Sequence, residues 1–367
     1  MARKVLIKKS KKTTKGPAWK GPMVDGVIQS LLGRFLVCRE RFKVLVIDGL
    51  APALGFEPKI HYGQMWHTCE EAHAAGILYV RPLQEYCTQL CKEFPTDQNQ
   101  VDKWYNVCSK QFPIYVDYWK KHPDVKRRKP IFQEKTFCVP YELPSGRVVK
   151  LRGKWDSVDL IKENGRSFIY LQENKTKGTI DQQLLTRQLT FDLQTMMYLI
   201  ALQEYSTQVD TEILAGQQIK GIRYNVIRRP LSGGKGSIRQ HKPTKSNPQG
   251  ESKKDYYDRL QQYFIEYPGE FFMRWKVDVT PGDINIFKKD FFDPCLEHLC
   301  YWYDWVSGSP YVPELYNREH YSFLHYRFPY GVWNSVLERG YSDVDEYLLS
   351  GSRVGLRKID NLFPELD

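Results

Sequence analysis

No run of this 367-residue sequence approaches the ~18 consecutive apolar residues that a bilayer-spanning helix needs, so no membrane span is predicted. No leader with a charged start, an apolar centre and a small-residue cleavage site opens the chain, so no secretory signal is predicted. Acids are missing from residues 1–22, which hold eight Lys/Arg. The eight cysteines are irregularly placed, and without a leader the expectation is reduced thiols and a cytoplasmic protein. No internal repeat is found. These gaps argue against a membrane protein, a disulfide-stapled secreted domain and a repeat array.

What is present favours a globular protein with an acidic partner. Apolar residues make up 41% and aromatics 14%, enough for one to three domains with a substantial core. Net charge is +11 and the pI about 9.1, which fits a polyanion such as nucleic acid. The alternative is a basic soluble protein without one.

Composition divides the chain into a basic tail over 1–23, a helical part over 24–130, an α/β core over 131–310 and an aromatic-rich segment over 311–367. Helices are predicted over 30–42 with Ser30 as cap, over 61–76, over 83–94 and over 101–119, where Pro113 should kink or split the helix. A basic linker covers 120–130. Strands are predicted at 131–140 and 148–161, joined by the turn Leu143-Pro144-Ser145-Gly146, and at 168–171 after the turn Glu163-Asn164-Gly165. One long helix is expected over 181–205, then a strand at 219–229, a helix at 255–266, a strand at 271–279 and a helix at 283–306. Residues 231–254 carry six Lys/Arg and one acid and read as a basic loop, disordered without a ligand.

Three fragments carry the chemistry: Gly63-Gln64-Met65-Trp66-His67, Gly153-Lys154-Trp155-Asp156 and Glu173-Asn174-Lys175. Residues i and i+2 on a strand share a face, so Glu173 and Lys175 point together, while Asn174 points away with a carbonyl free to meet a metal. Antiparallel pairing of the two strands would set Asp156 beside Glu173. Adjacent carboxylates repel unless a cation joins them, and a nearby Lys would neutralise the pair. Gln194 and Tyr198 lie one turn apart on the following helix, with Arg187 two turns earlier on a similar azimuth. His67 is a further candidate ligand, its ring orientable by Glu71. Hydrolysis of a phosphodiester needs this inventory: carboxylates, a hard cation and a positive group. Read blandly, the same residues are an exposed strand end, a surface pair and a structural histidine.

In order and spacing these motifs resemble the PD-(D/E)XK nuclease superfamily, in particular its RecB-like branch, which includes the RecB and AddB nuclease domains, CRISPR-associated exonucleases and phage exonucleases. Gly63 to His67 is similar to the family's Gly-x-x-x-His helix and Gly153 to Asp156 to its Gly-x-x-Asp strand. Glu173 to Lys175 matches the Asp/Glu-x-Lys strand and Gln194 to Tyr198 the Gln-x-x-x-Tyr helix. Val37 to Phe42 resembles a Cys-Pro-Arg-like turn, and the likeness covers about 24–230.

The resemblance implies a restriction-endonuclease-like α/β core, a central mixed sheet flanked by helices with an N-terminal helical part. It implies that His67, Asp156, Glu173 and the Asn174 carbonyl bind Mg²⁺ or Mn²⁺. Lys175 would activate water or stabilise charge, and Gln194 and Tyr198 would position the strand. Asp159 matches less well. Phosphate contacts are expected from Lys177, Arg187, Arg228, Arg229, Lys235, Arg239 and Lys242. Some relatives hold an iron–sulfur cluster; Cys38 sits where its first cysteine would be, but no cysteine follows Cys300, so none is expected. Cys295, His298 and Cys300 could form a zinc half-site, though a core-facing helix is the better reading. The expected function is a metal-dependent DNA nuclease, an exonuclease in DNA repair, recombination or phage DNA processing, in a prokaryotic or phage-infected cell. The rivals are a non-catalytic DNA-binding protein with this fold, a structure-specific or restriction-like endonuclease, and an unrelated enzyme on a small phosphate ester. Oligomeric state is open.

Overall fold

A computed structural model describes residues 18–53, 55–208, 217–230, 238–246, 248–308, 342–363 and 366. Its elements run α1 (Gln29–Val37), α2 (Arg39–Val46), β1 (Leu50–Pro52), α3 (Pro58–Ala74), α4 (Val80–Glu93), α5 (Gln98–Lys121), α6 (Pro123–Lys126), β2 (Arg128–Glu142), β3 (Val148–Glu163) and β4 (Arg166–Lys177). There follow α7 (Gln182–Leu189), α8 (Leu193–Gln208), β5 (Ile219–Arg228), α9 (Lys253–Glu266), β6 (Phe272–Asp278), α10 (Pro281–Phe287), α11 (Asp293–Val306), α12 (Asp343–Ser350) and β7 (Leu356–Lys358).

Five strands form one sheet in the order β2-β3-β4-β5-β6. The turn after Leu143 closes with the Gly146 N–H donating to the Leu143 carbonyl (2.8 Å), and its geometry needs φ +80° at Gly146. β2, β3 and β4 are antiparallel neighbours; β4 and β5 are parallel, joined through α7 and α8; β6 returns antiparallel. β4 is central, and Ile169 to Asn174 are buried without interruption, as a strand covered on both faces requires. One face carries Trp155, Leu171 and Tyr224 with α8, α1 and α11. The other carries Ile227 and Phe272 with α3, α4, α5 and α9. This is the mixed sheet flanked by helices that the sequence predicted.

Several expectations are corrected. The helix expected over 30–42 breaks at Cys38, whose backbone is extended, and Ile28 rather than Ser30 precedes the first piece. The break lets Phe35 and Phe42 both meet Trp302 edge-on, at 5.7 and 5.1 Å between ring centres. Trp19, placed in the tail by sequence, is fully buried against Phe42 and Tyr303.

α5 runs through Pro113 unbroken. A proline leaves the carbonyl four residues earlier without its helical donor. Here the Tyr79 hydroxyl donates to that Ser109 carbonyl at 3.1 Å.

The helix expected over 181–205 is two helices. Phe191 takes φ +57°, Tyr224 Oη caps the Leu189 carbonyl at 2.7 Å, and Asp192 begins the next helix by accepting from the Thr195 N–H at 3.4 Å. The stretch expected as a basic linker is taken up by the end of α5, α6 and the start of β2. The helix expected over 283–306 starts at Pro281 and passes through a five-residue π-helical stretch, Lys288–Phe292. In the basic loop, described residues 238–246 and 248–254 are tied to α9: Glu251 pairs with Arg259 at 2.6 Å and accepts the His241 N–H at 2.8 Å. Of the aromatic-rich segment over 311–367, residues 311–341 lie outside the described residues. From residue 342 onward, β7 pairs with β1 and Val344 packs on Val44 and Leu50.

Candidate active site

The site lies where the sheet opens. The β3–β4 ladder stops at Ser157 opposite Gln172, so Asp156 and Glu173 come next, where the strands part. Instead of a backbone bond, the Asn174 N–H donates to Asp156 Oδ2 at 2.7 Å. On the other side, Gln133 pairs with Ser157 and Lys135 with Trp155, which leaves Glu134 facing Asp156 across the hairpin. Glu134 has φ +47°, a left-handed conformation that costs a non-glycine residue about 1–3 kcal/mol. Trp155 packs beneath α8, whereas Ser157 bonds Asp159 on the opposite face. Residues two apart share a face in a regular strand, so β3 turns over at Asp156.

Three further elements converge on this hairpin. α3 brings His67, whose Nδ1 lies 3.7 Å from both Glu134 Oε1 and Asp156 Oδ1. One ligand atom from each of His67, Glu134 and Asp156 falls within 4.8 Å of the others. β4 presents Glu173 and Lys175 on one face, as alternation predicts, joined at 2.8 Å. From α8, Gln194 closes a triangle: its Nε2 donates to Glu173 Oε1 and its Oε1 accepts from Lys175 Nζ, each at 2.7 Å.

The charges are not settled within this cluster. Both oxygens of Glu134 and Glu173 Oε2 are buried without a hydrogen bond. Glu134 has only ion-pair contacts, to Lys154 at 3.0 Å and to His67. Burial raises Asp156 to about 6, with Glu134 adding to the rise and His67 opposing it. Burial likewise raises Glu173 to about 7 against the pull of Lys175, and Asp156 pushes it further. Burial disfavours a charged His67, but Asp156 and Glu134 outweigh it and raise the ring to about 9. Lys175 is also disfavoured by burial, and Glu173 outweighs this and raises it. Orphaned oxygens and carboxylates that resist ionising are what a site built for a hard cation leaves when its charge is not supplied. His67, Glu134 and Asp156 therefore fit a divalent metal, and Glu173 lies close enough to Asp156 and His67 to feel their charge.

Glu134 was missed by sequence. Its signal was the hairpin register, since it faces Asp156 across the 143–146 turn. Two glycines gain a reason. A Cβ on Gly153 would sit 2.7 Å from the Phe137 ring and 2.8 Å from the Tyr198 ring, so only glycine lets those rings lie over β3. Gly63 brings α3 close to Thr176, 3.4 Å from where its Cβ would be.

The remaining candidates divide. Tyr198 is 9% exposed and packs edge-on against Phe137, as part of the wall behind Gln194. The Asn174 side chain points away, accepting from Asn225 at 2.7 Å and Gln172 at 3.1 Å. Glu71 pairs with Lys154 at 3.2 Å rather than orienting His67. Asp159 pairs with Arg128 and Arg223, both at 2.7 Å, on the far face. Arg187 is exposed on α7, and the break at 190–192 removes the shared azimuth with Gln194. Arg228 is engaged by Glu270 and lies over Phe271. Arg239 and Lys242 are exposed, Lys235 lies outside the described residues, and Lys177 and Arg229 line a cavity at the end of β4. Cys300 is buried and Cys295 half-buried on α11, and His67, Glu134 and Asp156 are the group found with metal-ligand spacing among the described residues. Among those residues no helix is long and apolar enough to cross a membrane.

No curated protein matches the chain. The family model of the PD-(D/E)XK nuclease superfamily matches residues 29–283, well over half its length, and the chain belongs to that superfamily.

Proposed function

We propose, from that membership, that the protein is a divalent-metal-dependent deoxyribonuclease of the RecB-like branch, an exonuclease serving DNA repair, recombination or phage DNA processing. One observation carries the catalytic reading. Three acids, of which Glu134 and Glu173 keep buried oxygens without hydrogen bonds, meet a histidine and a fixed lysine where the sheet opens. A decayed, merely binding relative has no reason to keep such a costly arrangement.

In this reading His67, Glu134, Asp156 and Glu173 hold Mg²⁺ or Mn²⁺, with the Asn174 carbonyl as a further candidate. The cation supplies positive charge against the phosphate and acidifies water. Lys175 is the chain's own contribution to the reacting phosphate. Raised by Glu173, it stays protonated at neutral pH, so it acts as a cation facing the charge that develops on phosphate oxygen. Gln194 fixes its direction. Water adds to phosphorus, the bond to the 3′ oxygen breaks, and the proton that the water loses passes through solvent to that oxygen. Arg239 and Lys242 supply sequence-independent phosphate contacts that weaken with salt.

The test is a cleavage assay on linear and closed circular DNA with Mg²⁺ or Mn²⁺. Cutting confined to end-bearing DNA and lost on chelation is expected. Cutting of circles would favour an endonuclease. DNA binding without cutting under either metal would favour a non-catalytic role.

A further inference from the structure

Arg229 follows the last residue of β5 and is 8% exposed, yet no acid pairs with it among the described residues. Its Nε is buried without a hydrogen bond. Its backbone N–H donates to the Lys177 carbonyl at 2.7 Å, which fixes it beside the end of β4. A buried guanidinium without a counter-ion costs stability unless something supplies the anion.

Arg229 lines a cavity of about 750 Å³, shared with Lys177 from β4, Lys59 from α3 and Lys103 from α5. Glu57 and Asp181 are the acids that line it, and Asp181 already caps α7 by accepting the Leu184 N–H at 3.0 Å. Four cations thus face two acids. α3 also begins at this cavity, and Glu57 before it makes no side-chain cap, so the positive end of that helix adds to the field.

The cavity continues the catalytic strand. Glu173, Lys175 and Lys177 alternate onto one face of β4, and Lys177 lies about 13 Å beyond Glu173 at roughly 3.3 Å per residue. At roughly 3.4 Å per nucleotide along a duplex, that distance is on the order of four nucleotides, and fewer for an extended strand.

We propose that this cavity is an end-binding site that takes a terminal phosphate of the DNA on Arg229 and Lys177, setting the distance from the end to the cut. The proposal rests on the nuclease reading above. A terminal phosphate suits the site better than an internal phosphodiester for two reasons. It carries a second negative charge against the cationic excess. It also has a chain on one side only, so it can reach a guanidinium set into a concave wall.

The test measures affinity in chelator, so that nothing is cut. Equal-length linear DNAs with 5′-phosphate, 3′-phosphate or hydroxyl ends are compared with a closed circle. The wild-type protein is expected to bind one phosphorylated end about tenfold or more tighter than the hydroxyl end, and Arg229→Gln to abolish that difference. Inorganic phosphate is expected to raise the melting midpoint of the wild type but not of Arg229→Gln. Equal binding of all ends overturns the proposal. So does an Arg229→Gln variant that weakens binding to circles as much as to phosphorylated ends. A protein that cuts DNA without end preference loses this site but remains a nuclease. One that prefers phosphorylated ends without cutting keeps the site and loses the nuclease reading.

Discussion

Asp156 and Asp159 stand three residues apart on β3, both buried, and their surroundings differ completely. Asp159 meets Arg128, Arg223 and the Ser157 hydroxyl, each at 2.7 Å, and Arg223 is further held by Gln172. Asp156 faces Glu134 and Glu173, with a partly exposed histidine 3.7 Å away. The regular alternation of β3 breaks at Asp156, so the two aspartates enter different surroundings. Around Asp159 two guanidiniums hold one carboxylate and tie the strands together. Around Asp156 three acids crowd beside His67, Lys154 and Lys175. Burial is therefore common to both, and the crowding of carboxylates is what sets Asp156 apart.

The sharpest way to break this comparison is substitution at both positions. Asp156→Ala, like Glu173→Ala, is expected to lower the initial cleavage rate by at least ~10³-fold, about 4 kcal/mol of barrier, with metal-free DNA affinity nearly unchanged. Asp159→Ala should instead destabilise the fold by roughly 3–5 kcal/mol in denaturant titration, because two arginines lose their buried partner. Full activity in Asp156→Ala would remove the ligand assignment.

Lys175→Ala should slow single-turnover cleavage by roughly 10²–10³-fold, since it deletes a preorganised charge at the phosphate. An unaffected rate would reduce Lys175 to a counter-ion for Glu173.

Metal addition probes the same imbalance without chemistry. Mn²⁺ at a hundred times its dissociation constant should stabilise the wild type by about 2.7 kcal/mol, seen as a higher thermal midpoint that chelator reverses. Glu173→Ala should show little of this, whereas Asp159→Asn should keep it.

A smaller effect is expected with pH. Folded Asp156 and Glu173 hold protons to about 6 and 7, above the ordinary carboxylate values of 3.8 and 4.5. The folded state thus binds more protons in that window, so metal-free stability falls as pH rises from about 4 to about 7. His67, raised to about 9, contributes in the same direction, its stabilisation being lost as pH rises through that value. Denaturation curves of the Asp156→Asn, Glu173→Gln double variant should show a flatter slope, and an unchanged slope would mean the carboxylates do not interact as described.

The smallest effect belongs to the exposed cations. Arg239→Ala and Lys242→Ala should each reduce the salt dependence of DNA binding by about one in log–log slope, with no change in catalytic rate on bound DNA.

Legibility in the sequence followed the range of the interaction. Glu173 and Lys175 were readable because a spacing of two on a strand fixes a shared face. Their hydrogen bond follows from that local geometry. Gln194 was readable from its place one helix later. Glu134 was not, because its approach depends on hairpin register and a left-handed backbone. Apolar spacing continued from Leu189 to Leu193 and masked the helix-start signal at Asp192, and with it the break that separates Arg187 from Gln194. Pro113 signalled a kink, but a hydroxyl from another helix removed the reason for one.

The sequence by itself determined the alternation of strands and helices and the acid–lysine pair, because both rest on periods of two and 3.6 residues that any short segment expresses. Only the tertiary structure decided that Glu134 joins Asp156 and Glu173. Asp156, Glu134 and Glu173 come from three strands, and they converge only where the ladder between β3 and β4 ends and the backbone at Glu134 turns left-handed. The strength of their mutual repulsion depends on how much water packing excludes, and α3 and α8 set that from opposite sides of the sheet.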